Sequence, residues 1–257
     1  MPSEALVDLL VKARRNGHQI AQLPEALVPA TADDGYAVAD RVSAALGWAP
    51  LGWKIAGTTE SVRKRLGLHG PIYGRTFQRF RYPSPARLQH AALLDPLVEC
   101  EFFVTLGRDL PSRPKPWTMD ELIEAIATVH AGIEVAECRF LTASMPPLPA
   151  VYADGCASGR YIYGGEIVSW RAGLSGIDVR LAVDGQPRRT GKGADVMGDP
   201  LVPLLWLVER LRQLGRGLVA GEMISTGSCT GMLPVRTGQT VHAVFGGTAE
   251  VLITFDG

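Results

Sequence analysis

Glu99 and Glu101 stand two residues apart in the run Leu97-Val98-Glu99-Cys100-Glu101-Phe102-Phe103-Val104, whose β-branched and aromatic content reads as a strand. Side chains two apart on a strand share a face, so both carboxylates emerge together while Val98, Cys100 and Phe102 face the other way. Two like charges held side by side repel, and such a pair persists most easily around a hard cation such as Mg2+ or Mn2+. A solvated strand face is the other reading of the same spacing. Glu134, in the apolar run Gly132-Ile133-Glu134-Val135, supplies a third acid. Three carboxylates from two strands give three oxygen ligands and leave positions for water and substrate.

Lys54 interrupts the apolar run Trp53-Lys54-Ile55, where a charge is either functional or reaching out at a sheet edge. Gly191-Lys192-Gly193 has the look of a phosphate loop, but it has neither phosphate-loop spacing and follows a polar turn, Gln186 to Thr190, so a nucleotide site is not expected. Met223 to Ser228 ends a strand in small hydroxyl residues and glycine. That run either presents backbone N–H groups to a carboxylate or forms an ordinary turn. The histidines show no ligand spacing, and His130 is expected at a helix end, where its charge suits the dipole.

The 257 residues are 46% hydrophobic and 20% charged, which suits a folded chain with a sizeable core. Lys and Arg number 26, as do Asp and Glu, so a broad basic face for nucleic acid is not expected. The richest apolar run, Leu201 to Val208, falls short of the roughly 20 residues of a membrane span, and no secretory signal is visible. Cys100, Cys138, Cys156 and Cys229 lie far apart and read as reduced core residues of a cytoplasmic protein.

The elements that must hold the acids fall into two groups. Helical spacing predicts one helix from a Ser3 cap through Leu6, Leu9, Leu10 and Ala13 to Asn16-Gly17. A second runs from a Thr31/Asp34 capping box to Gly47, and a third from Thr59 to Leu66, with a strand at Leu51–Ile55 between them. Beyond these the chain is mostly strand. One helix with a Thr118/Glu121 box carries Leu122, Ile123, Ile126 and Val129, and another is capped by Asp199, started by Pro200 and closed at Gly215. Pro111–Pro116 and Pro146–Pro149 read as loops. The expectation is an α+β fold, with a mainly helical N-terminal region at 1–75 and a mixed-β core at 76–257.

Gly52-Trp53-Lys54-Ile55, Gly70-Pro71-Ile72-Tyr73-Gly74 and Glu99-x-Glu101 resemble the 2-oxopent-4-enoate hydratase and 4-oxalocrotonate decarboxylase family of the fumarylacetoacetate hydrolase superfamily. Ile133-Glu134-Val135 with Arg139, Ala153-Asp154, Gly198-Asp199-Pro200, Ala220-Gly221-Glu222 and Thr226-Gly227 continue the match along the chain. The resemblance implies a mixed β-roll core, and Mg2+ or Mn2+ on Glu99, Glu101 and Glu134. It also implies Lys54 and Asp154 as catalytic residues, and substrate contacts from Ile72, Arg139, Thr226 and Gly227.

The activity it implies is hydration of a 2-hydroxy-2,4-dienoate to a 4-hydroxy-2-oxo acid, as in aromatic meta-cleavage catabolism, by a homo-oligomer. Decarboxylation of a 4-oxalocrotonate-like 2-oxo-3-enedioate is the alternative. A non-catalytic partner subunit, in a hetero-oligomer with a related enzyme, is the second. Ile72 stands where hydratase members often carry aspartate, which is closer to the decarboxylase branch. Asp154-Gly155-Cys156-Ala157 replaces the usual Asp-Asn-Ala-Ser.

Overall fold

The computed structural model describes residues 4–257, so Ser3, the expected first cap, lies outside the described residues. Helix α1 (Glu4–Asn16) buries Leu6, Leu10 and Ala13. Helix α2 (Ala32–Leu46) opens on the Thr31/Asp34 capping box and closes on Gly47 in the left-handed conformation. The two pack together, and α2 also packs on α5 (Leu148–Ala153). Strand β1 (Pro50–Ala56), helix α3 (Glu60–Leu66) and strand β2 (Ile72–Phe77) follow α2. β1 and β2 join the large sheet, so the N-terminal region supplies two of its strands.

Next come β3 (Arg81–Pro83), β4 (Ala86–Gln89), β5 (Leu97–Leu106), α4 (Met119–Ala125) and β6 (Ile126–Ala136). After α5 the chain runs through β7 (Arg160–Glu166), β8 (Asp178–Val183), β9 (Gln186–Lys192), α6 (Leu201–Gln213), β10 (Met223–Ser225), β11 (Leu233–Pro234), β12 (Thr240–Phe245) and β13 (Ala249–Asp256). Among the described residues one sheet has the order β2-β1-β10-β5-β6-β7-β3, with β11 added on β5, and a second has the order β4-β13-β12-β8-β9. β12 and β13 lie against β6 and β7. Phe102 meets Phe245 edge-on across this interface at 5.3 Å between ring centroids. Among the described residues, no helix is long and apolar enough to cross a membrane.

Four expectations give way to pairing and burial. The helix at Thr118 stops at Ala125, and Ile126 and Val129 belong to β6, because β6 pairs with β5 from Ile126 to Ala136. A full cross-strand ladder outweighs the helical spacing of two apolar residues. His130 therefore lies within β6, with Nδ1 3.2 Å from the Gly164 carbonyl, and not at a helix end. The loop read at Pro146–Pro149 contains the start of α5, whose Pro149 falls in the first turn, where a missing N–H breaks no bond. The polar run Gln186–Thr190 is not a turn but an exposed edge strand, reached through a tight turn at Asp184 (φ 51°) and Gly185 (φ 73°).

Gly52 fixes how β1 meets β10. Its φ is 151°, and a Cβ built there would lie 2.0 Å from the Met223 carbonyl oxygen. Gly52→Ala forces the two strands apart just before Lys54. It is expected to destabilise the fold by about 1–3 kcal/mol, read as a lower urea midpoint with unchanged slope.

Candidate functional site

The β5–β6 register sets Glu99 opposite Glu134 and Glu101 opposite Gly132. β10 lies between β5 and β1, pairing Ser225 with both Phe103 and Lys54. Three strands thus bring the acids and the lysine to one place. One oxygen from each of Glu99, Glu101 and Glu134 lies within 4.8 Å of the others. Lys54 Nζ sits 3.3 Å from Glu134 Oε1 and donates to the Cys156 carbonyl at 3.0 Å. None of the four residues is more than 5% exposed.

Burial opposes charge on every member. It raises Glu134 to about 7, against the pull of Lys54 and with the push of Glu99. It raises Glu99, with Lys54 opposing, and lifts Glu101 well above the carboxylate range, with Glu134 and Glu99 adding to the rise. Burial alone would lower Lys54, but Glu134, Glu99 and Glu101 outweigh it and hold its pKa above the ordinary lysine range. Full ionisation of three acids against one ammonium would leave an excess of negative charge. Glu134 Oε2 is buried with no hydrogen-bond partner. An unpartnered carboxylate oxygen amid like charges is the donor set of a hard divalent cation, so these residues fit one.

Other expected site residues have different surroundings. Asp154 is fully buried. Its Oδ1 accepts from Arg139 Nε at 2.7 Å and its Oδ2 from Arg139 Nη2 at 2.8 Å, while the Arg14 guanidinium lies 3.6 Å from Oδ1. With both oxygens engaged, Asp154 anchors a loop. Arg139 is committed to Asp154 and to the Ser158 carbonyl at 2.9 Å. Burial and the charge of Arg139 pull Arg14 down to about 10, with Asp154 opposing. Ile72 packs with Tyr152 and Cys156. The Thr226 hydroxyl donates to the Phe102 carbonyl at 3.1 Å, holding the turn to β5. The Gly227 N–H donates to Glu101 Oε2 at 2.8 Å, which brings it into the site as a carboxylate donor.

The structure adds groups that sequence spacing did not single out. The Ser225 hydroxyl donates to Glu101 Oε2, and Tyr161 donates to Glu134 Oε1 at 3.2 Å with Ser158 Oγ 2.9 Å away. Ser228 Oγ is buried beside Glu99, and its hydroxyl opposes the rise in the Glu99 pKa. It lines a cleft of about 190 Å³ with Glu99, Glu101, Thr58, Val62, Arg65 and Met232. The serines lay in the Met223–Ser228 run. Nothing in Tyr161-Ile162-Tyr163 marked its first tyrosine, because the partner acid is 27 residues away.

The family described as fumarylacetoacetate (FAA) hydrolase, C-terminal, matches residues 83–254. A 2-keto-4-pentenoate hydratase of Paraburkholderia xenovorans is 30% identical over 98% of this chain and 94% of its own. A 4-oxalocrotonate decarboxylase of a Pseudomonas species is 26% identical over 98% and 96%. Among solved structures, 4-oxalocrotonate decarboxylase from Pseudomonas putida G7, complexed with magnesium and adipate, superposes with a TM-score of 0.89 at 27% identity, over 98% of this chain and 96% of that one.

Two outcomes follow from the buried charges. Asp154→Asn leaves Arg139 and Arg14 buried without their counter-charge and should destabilise the fold by about 3–5 kcal/mol, measured by urea unfolding. Glu134 titrates near 7 when folded against an ordinary 4.5, so the folded chain without cation holds more protons than the unfolded one between those values. Its contribution to stability is therefore present below 4.5 and lost as pH rises to 7. Chelator-treated protein should lose more stability between pH 5 and 7.5 than chelator-treated Glu134→Gln, compared by thermal melts.

Proposed function

The chain belongs to the fumarylacetoacetate hydrolase family, and from that premise we propose that it is a divalent-cation-dependent lyase hydrating a 2-hydroxy-2,4-dienoate to a 4-hydroxy-2-oxo acid. The observation that carries the reading is the trio Glu99, Glu101 and Glu134, buried around one lysine with an oxygen of Glu134 left open. The hydratase names of relatives about 30% identical along nearly the whole chain support the reaction.

In this reading the three glutamates hold Mg2+ or Mn2+. The cation supplies Lewis-acid polarisation and a positive field for oxyanion charge that develops on the 2-oxo acid head. Lys54 is kept protonated by the surrounding carboxylates. Two of its three N–H groups serve Cys156 and Glu134, and the third is left for the substrate's 2-oxygen. There it would donate a hydrogen bond to the 2-oxygen and stabilise the negative charge that develops on it. The Ser228 hydroxyl, in the cleft beside Glu99, offers a donor to the substrate carboxylate. Val62 and Met232 give the cleft apolar wall that limits water around the reacting carbons. The protein is read as a cytoplasmic homo-oligomer, with a related enzyme as the alternative partner; its four cysteines are free.

Decarboxylation of a 2-oxo-3-enedioate is the second reading, and the cleft lining favours it. Beyond Glu99 and Glu101 the lining carries no acid or histidine to activate water, whereas loss of CO2 needs only an electron sink. Arg65, at the end of α3, lines the same cleft and offers a guanidinium to a second carboxylate.

Two measurements check the proposal. Glu99→Gln, Glu101→Gln and Glu134→Gln should each weaken Mn2+ binding at least tenfold in calorimetry while the fold persists; three variants that bind like the parent would remove the site. With Mg2+ present, 2-hydroxypenta-2,4-dienoate should give 4-hydroxy-2-oxo acid. Release of CO2 from 4-oxalocrotonate with no hydration would transfer the protein to the second reading.

A further inference from the structure

Glu134 and Glu101 divide their oxygens in the same way. Oε1 of Glu134 receives the Tyr161 hydroxyl at 3.2 Å and Lys54 Nζ at 3.3 Å, while its Oε2 is buried and unpartnered. Oε2 of Glu101 receives the Gly227 N–H at 2.8 Å and the Ser225 hydroxyl, and its Oε1 takes neither. The donors come from three different strands and one turn, so no single turn of chain imposes the pattern. Tyr161 is itself fully buried, its ring set edge-on against Phe103 at 5.9 Å and its hydroxyl beside Ser158 Oγ. Its donor is therefore held in place.

An oxygen committed to two donors is a poor second ligand, because gripping a cation with both oxygens means breaking those hydrogen bonds. Carboxylates prepared in this way bind through one oxygen. Mg2+ and Mn2+ suit that arrangement: three single oxygens fill half an octahedron and leave the remainder to water and substrate. Ca2+ is larger, takes six to eight oxygens and gains from carboxylates that bind through both. We propose that Tyr161 and Ser225 are positioning residues that hold Glu134 and Glu101 to one free oxygen each, and so bias the site toward Mg2+ and Mn2+ over Ca2+. The inference rests on the reading of the glutamates as cation ligands.

The test titrates the full chain, stripped of metal with chelator, with MgCl2, MnCl2 and CaCl2 separately in a calorimeter. Parent, Tyr161→Phe, Ser225→Ala and the double variant are compared. Each single change should weaken Mg2+ and Mn2+ binding about tenfold, within the range for lost partners of metal ligands. Ca2+ affinity should stay within about threefold of the parent, since a freed oxygen compensates it. The double variant should move the Ca2+ to Mg2+ ratio further than either alone. Equal weakening of all three ions, or ratios like the parent's, would overturn the inference while leaving the cation site intact. A parent that binds none of the ions would overturn the reading of the site as well. Ser225→Ala, which removes only a hydroxyl oxygen, carries the test by itself if Tyr161→Phe fails to fold.

Discussion

Glu99, Glu101 and Glu134 lie out of water within 4.8 Å of one another, and Lys54 is the cation set against them. Desolvation of a carboxylate is expensive, and neighbours of like sign add to the expense. The response is visible in the pKa values: Glu134 rises to about 7, and Glu101 rises well above the carboxylate range. Such a cluster is stable only if neighbouring groups supply positive charge and donors at fixed positions. The three-strand arrangement of β1, β10 and β5 beside β6 does so with backbone register, which is the most rigid positioning a chain has. A one-residue slip of β6 would turn Glu134 to the opposite face and bring Ile133 among the acids.

The same need reaches far from the sheet. Lys54 takes its second acceptor from the Cys156 carbonyl, and that carbonyl sits in a run of left-handed residues: Gly155 at φ 73°, Cys156 at φ 56° and Ala157 at φ 59°. Two non-glycine residues in that region carry strain, on the order of 1–3 kcal/mol each. The loop is over-determined from both ends. Asp154 is gripped by Arg139 and Arg14, and Gly74 of β2 packs so closely that a Cβ there would lie 2.1 Å from the Gly155 carbonyl. Arg14 belongs to α1, so the N-terminal helices contribute to the site by fixing where the lysine's partner points. Asp154 and Arg139 have this supporting place in the structure, not a place in the cleft.

The acids were legible because strand geometry is local: Glu99 and Glu101 share a face by period two, and Glu134 stood out as a charge in an apolar run. Lys54 stood out for the same reason. The capping boxes at Thr31 and Thr118 located α2 and α4, since a cap is a contact between residues three apart. What escaped depended on partners distant in sequence. Tyr161 acquires its place only when β7 pairs with β6, and Ser225 only when β10 is inserted between β1 and β5. Arg139 and Asp154 were named through family resemblance, but their mutual pairing was not visible. The far end of α4 is not legible in the sequence because β6 begins with residues that would also suit a helix, and only its ladder with β5 decides between them.

The site separates into a floor and a mouth with different physical demands. At the floor, three buried acids face one ammonium, which constrains every oxygen and nitrogen. Glu101, Glu134 and Lys54 each have partners that fix one side of the group and leave the other open. At the mouth nothing is buried deeply enough to impose such order. Val62, Arg65 and Met232 face a cleft wide enough for water. Hydration and decarboxylation both begin by drawing electrons toward the oxo acid head, so the floor can serve either. They differ in whether a base must bring water to a distal carbon. The choice between them therefore lies with the mouth, where an apolar wall and a guanidinium can hold an extended acid and exclude water from its middle.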